Sequence, residues 1–102
     1  MSPPSLRQIE KHIRASARDT ANIVLLAHAL SRMVERGINH AMVLETLRMG
    51  ILAREPEPDP RTGRLRYRMQ RYVSGVNVGA VVEVDHPDPT IVLITVIEIH
   101  RS

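Results

Sequence analysis

There is no cysteine, no tryptophan and no phenylalanine in this 102-residue chain. Without thiols, disulfide bonds, thiolate nucleophiles and thiolate-rich zinc sites are excluded. Tyr67 and Tyr72 are the only aromatic residues, so the core must be built from Leu, Ile, Val, Met and Ala. Long apolar runs are missing too. Ile23–Ala27 and Ile91–Ile97 are the longest, far short of the roughly 20 residues that cross a bilayer. The polar start Met1-Ser2-Pro3-Pro4 is not followed by the apolar segment of a secretory leader. A cytoplasmic location without membrane contact is the expectation.

Lysine is almost absent as well. Thirteen of the fourteen Lys and Arg residues are arginine, and the formal net charge is +3. Arginine carries a planar fork that grips phosphate at two points and stacks on bases. The chain is long enough for one domain, spanning residues 1–102, with a single core.

Ser5 followed by Gln8 reads as a capping box, and Leu6, Ile9, Ile13 and Ala17 recur at helical spacing. A helix is expected over about 6–18. Residues 23–26 fit either a short strand or the buried start of the next helix. From His28 the pattern is helical, with Leu26, Leu30, Met33 and Val34 as its apolar stripe and Gly37 as its stop. Asn39 caps a further helix over 40–49, and Gly50 ends it. A short strand over 51–55, a proline-punctuated loop over 56–63 and three strands near 64–73, 77–85 and 90–99 complete the chain. Helices first and an antiparallel meander after them define an α+β fold. Two to three N-terminal helices pack on one face of a four-stranded, mainly antiparallel sheet. The other face is left free to work.

Two basic constellations stand out. On a helix, His28, Arg32 and Arg36 form one stripe, with Glu35 close by. On a strand, Arg64, Arg66 and Arg68 share one face with Gln70, flanked by Arg61 and Arg71, and no acidic residue interrupts 60–72. Like charges on one strand face repel, a cost a fold accepts more readily where an anion is to be bound. The same row also fits an edge strand charged against aggregation. Tyr67 has the opposite phase, toward a core. Tyr72 shares the arginine phase and is placed to stack on a base. Thr95 shares its phase with Ile91, Leu93, Ile97 and Ile99, which points it toward the core as well.

The five histidines are not at metal-ligand spacing, and the glycines form no phosphate loop. Neither a metal nor a cofactor is expected.

The run His28-Ala29-x-x-Arg32-Met33-x-Glu35-Arg36-Gly37-Ile38, then Val43-x-x-x-Leu47-x-x-Gly50, Arg66-Tyr67 and Ile94-Thr95-Val96-Ile97, resembles a widespread family of small bacterial and phage domains of unknown function. The resemblance covers about residues 22–99. That family in turn resembles the RelE/ParE-like toxins of the wider barnase–EndoU–colicin–RelE group. The resemblance implies helices on a four-stranded sheet and a metal-independent ribonuclease of a toxin–antitoxin or effector–immunity pair. His28 would be the acid–base group, Arg32 a catalytic charge stabiliser, and Tyr67 and Thr95 would orient the substrate. Arg36 and Arg68 would contact phosphate, and the strand-face reading above adds Arg64 and Arg66 to the track that holds the RNA backbone. The partners so implied are RNA, including ribosome-associated RNA, an antitoxin or immunity protein, and a second copy of the chain. A non-catalytic nucleic-acid- or protein-binding module, and a ParE-like inhibitor of a protein target, are the alternatives.

Overall fold

In the computed structural model, residues 2–100 are described. Helix α1 spans Leu6–Ser16. The Ser5 hydroxyl accepts from the Gln8 N–H at 3.2 Å, and the Gln8 side chain accepts from the Ser5 N–H at 2.7 Å, so the capping box closes in both directions. A short 3₁₀ turn at Thr20–Asn22, capped by Asp19, leads into strand β1, Ile23–Leu25. Helix α2 spans Ala27–Arg36 and ends on Gly37, whose φ of 63° is the left-handed value that glycine accepts without penalty. Helix α3, His40–Met49, is capped by the Asn39 side chain. Strands β2 (Ile51–Leu52), β3 (Glu57–Pro58), β4 (Leu65–Val73), β5 (Val76–Val84) and β6 (Ile91–Glu98) follow.

The sheet runs β1-β6-β5-β4-β2, with β3 also paired to β4. Only β1 is parallel to its neighbour, through Ile23↔Ile91 and Leu25↔Leu93. The four expected strands are therefore joined by two short ones, making a mixed, mostly antiparallel sheet of six. β1 is too short for periodicity to separate it from a helix start. β3 falls where three alternating prolines suggest a loop. Its pairing of Glu57 with Arg66 and Pro58 with Leu65 lies on an edge of β4, where a missing N–H is tolerated.

The three helices cover one face. Tyr67, Met69 and Val73 of β4, Val78, Ala80 and Val82 of β5, and Ile91, Leu93 and Val96 of β6 meet Ile9, Ile13, Ala29, Met33, Val43 and Leu47 in one aliphatic core. α2 is rotated from the expected stripe. It buries Ala29 and Met33, and leaves Leu26, Leu30 and Val34 exposed, Val34 at 84%. The small Ala29, fully buried, lets the helix come down close to the sheet on that side.

A bulge in β6 decides which residues reach the opposite, uncovered face. Val82 stands opposite Leu93, but Val81 stands opposite Thr95, so Ile94 is an extra residue. Beyond it the alternation is reset. Val96 points into the core, while Thr95 and Ile97 share the uncovered face with Val81 and Gly79. The core-facing phase expected for Thr95 and Ile97 is corrected by this single insertion. No described helix is long and apolar enough to cross a membrane.

Candidate nucleic-acid interface

The uncovered sheet face carries Arg66, Arg68, Gln70 and Tyr72 from β4, alternating with residues that point into the core. Beside them lie Gly79, Val81 and Glu83 of β5 and Thr95 and Ile97 of β6. The connection between β2 and β4 arches over one side and completes a cleft of about 360 Å³. Arg54, Glu55 and Glu57 of that connection line it, together with Arg66, Arg68 and Thr95 of the sheet.

The arginines of this face are not equivalent. Arg66 is ion-paired with Asp59, and its Nε lies 3.4 Å from Glu83. Asp59 also accepts from the backbone N–H groups of Arg61, at 2.7 Å, and Thr62, at 3.3 Å. The Arg61 bond above all holds the Asp59 carboxyl below its ordinary value, with the cations of Arg66 and Arg61 adding to the effect. Arg66 thus braces the β3–β4 hairpin. Arg54 is paired with Glu57.

Arg68 has no carboxylate partner among the described residues. It donates to the Gln70 side chain at 3.3 Å, and its Nε is buried with no acceptor among those residues. Burial lowers its pKa below the ordinary arginine value; neighbouring Arg54 lowers it further, and Glu57 opposes. A half-buried cation beside a like charge is the least satisfied polar group on this face, and an anion would satisfy it. Arg64 precedes β4 and is exposed.

His28, Arg32 and Arg36 lie elsewhere, on α2 in the helix layer. Arg32 donates to His28 Nε2 at 3.5 Å and pairs with Glu35 at 2.6 Å, while Arg36 lies 3.7 Å from the same carboxylate. The stripe largely satisfies itself at the surface. Tyr67 is on the helix side of β4, 9% exposed, and burial raises its phenol pKa. Of the candidate residues, the structure brings Arg66, Arg68 and Thr95 onto one face. It does not bring His28, Arg32, Arg36 or Tyr67 there.

Other arginines serve the fold. Arg14 Nε donates to the Gly50 carbonyl at 2.8 Å, Arg48 Nε to the Ala17 carbonyl at 2.8 Å, and Arg71 Nε to Glu45 at 2.9 Å. Arg71, expected beside the basic row, is on the helix side of β4. Arg54 and Glu57 were not legible as site residues, because only the arch between β2 and β4 carries them over the sheet. No described group of three or more His, Asp or Glu side chains could hold a metal ion.

Residues 25–98 match the model of a family described as a domain of unknown function (DUF4258), and the chain belongs to that family. No curated protein and no solved structure matches it.

Proposed function

We propose that the uncovered sheet face binds RNA through its phosphates and cleaves it without a metal, as a toxin-like ribonuclease. One observation carries the reading: Arg68 is a half-buried guanidinium with no carboxylate partner among the described residues, in a cleft shared with Thr95 and the Arg54–Glu57 pair. The resemblance to RelE/ParE-like toxins points the same way, since their catalytic groups sit mainly on the sheet and its C-terminal strand.

In this reading Arg68 and Arg54 hold the non-bridging phosphate oxygens and stabilise the charge that develops on them. The Thr95 hydroxyl orients the ribose. Glu57 takes the proton from the 2′-hydroxyl in place of His28, which stands on α2 and does not line the cleft. The 2′-oxygen attacks the adjacent phosphorus, the bond from phosphorus to the 5′-oxygen breaks, and that oxygen leaves with a proton from water. The products are a 2′,3′-cyclic phosphate and a 5′-hydroxyl end.

A second reading, a non-catalytic RNA-binding module, is favoured by the position of His28. The expected acid–base histidine is in the other layer of the fold, outside the cleft. Incubation of the protein with end-labelled RNA in EDTA separates the two. Cyclic-phosphate ends that form with wild type and are lost in Glu57→Gln and Arg68→Gln support cleavage. Salt-sensitive binding with intact RNA supports the module. Absence of any RNA binding overturns both.

A further inference from the structure

The arginine row ends in an aromatic residue. Tyr72 follows Arg66, Arg68 and Gln70 on the same face of β4, and it is 67% exposed. Its position is firm, because the β4–β5 hairpin turns immediately after Val73 through Ser74 and Gly75, at φ 49° and 82°. These paired positive values are those of the two-residue turn whose twist suits the flanking strands. Across the hairpin Tyr72 faces Asn77, and the Asn77 carbonyl is bonded by the Ile99 N–H at 2.7 Å. Tyr72, Gly75, Asn77, Glu98, Ile99 and His100 line a hollow of about 220 Å³. It therefore combines an aromatic plane, a neighbouring aliphatic side chain, an amide that both donates and accepts, and the Glu98 carboxylate and His100 imidazole, which can bond the edge of a base.

Those are the requirements of a nucleobase: a face to stack on and an edge to bond. Tyr72 stands four residues from Arg68, about 13 Å along the strand. A backbone held at Arg68 can run down the same face and place a base against Tyr72. A duplex cannot, because its bases are stacked on one another and closed to a side chain at its flank. Resting on the phosphate-binding reading above, we infer that the hollow at the hairpin end of the sheet takes one unpaired nucleobase stacked on Tyr72. The ligand of this face is accordingly a single strand of RNA.

The test is fluorescence anisotropy with a short fluorescein-labelled single-stranded RNA and with the same strand annealed to its complement. Wild type is compared with Tyr72→Ala, Tyr72→Phe and Arg68→Gln, each checked for an unchanged melting temperature or a folded circular-dichroism spectrum. Loss of one stacked base predicts roughly 5- to 150-fold weaker single-strand binding in Tyr72→Ala. Tyr72→Phe retains wild-type affinity, and duplex binding is indifferent to position 72. Unchanged single-strand affinity in Tyr72→Ala, with weaker binding in Arg68→Gln, overturns the base subsite and leaves the phosphate face standing. Equal losses for single strand and duplex overturn the single-strand assignment. If wild type binds neither RNA, the phosphate reading falls and the subsite with it.

Discussion

Arg66 on β4 reaches back across the hairpin to the carboxylate of Asp59, which the Arg61 and Thr62 amides also hold. This clamp sets the position of the arch that forms one wall of the cleft. The Asp59 pKa is lowered in the folded chain, so its ionised form is favoured by folding. The stability it supplies is present above the ordinary carboxylate value of 3.8 and is lost as pH falls through the lower folded value. Asp59→Asn is expected to lower stability at neutral pH and to flatten the acid limb of the curve below that value. Urea midpoints across the acid range give the check.

The rotation of α2 makes a second prediction. Val34 is exposed and Met33 is buried in the core, although the two are neighbours. Val34→Ser should change stability by less than about 0.5 kcal/mol, whereas Met33→Ala should cost roughly 2–5 kcal/mol. Chemical denaturation of the two variants measures both.

Arg68 should show opposite effects on stability and binding. Arg68→Met removes a half-buried cation whose Nε has no acceptor among the described residues, and it keeps an unbranched apolar stem. Its melting temperature should be equal to or above that of wild type, and its RNA affinity should fall. A drop in melting temperature as large as that of Met33→Ala would show that Arg68 supports the fold instead.

The helix stripe and the sheet face can be separated by function. His28→Ala and Arg32→Ala leave the cleft intact, and the exposed Arg32–Glu35 pair contributes only about 0.3–0.5 kcal/mol. Both should cleave RNA at the wild-type rate, while Glu57→Gln cleaves at least tenfold more slowly. Initial rates on one labelled RNA decide it. Loss of activity in His28→Ala would move the chemistry to α2.

Gly79 should resist substitution for a packing reason. A Cβ there would lie 2.7 Å from Ile97 Cγ1, in the middle of the uncovered face. Gly79→Val should destabilise the fold by roughly 1–3 kcal/mol and disturb the floor on which Thr95 is carried, as thermal melts and RNA binding would register.

Helix ends were legible because capping is local. Ser5 with Gln8, Gly37, Asn39 and Gly50 announce themselves within a few residues, and α2 ends and α3 begins and ends where they place it. The row of Arg66, Arg68 and Tyr72 was legible for the same reason, since alternation on one strand needs no partner. Thr95 was not. Its side depends on one residue inserted against β5, and a bulge leaves no mark on the hydrophobic pattern of a strand that is aliphatic in both phases. Nor could spacing reveal that His28 and Arg68 occupy different layers, because that follows from which face of the sheet α2 covers. Arg54 and Glu57 became visible only with the arch that carries them.

The parallel pairing of β1 with β6 ties residues 23–25 to 91–93. A chain made from its N-terminus exposes Ile23–Leu25 long before the partner strand exists. α2, which rests mainly on β6, waits for it too. Such distant pairing is slow to form and comes late. Thr95 belongs to β6 too, so the cleft is absent until that strand has been made and has closed on β5. Whatever this face does, a nascent chain still lacking β6 does not yet do it.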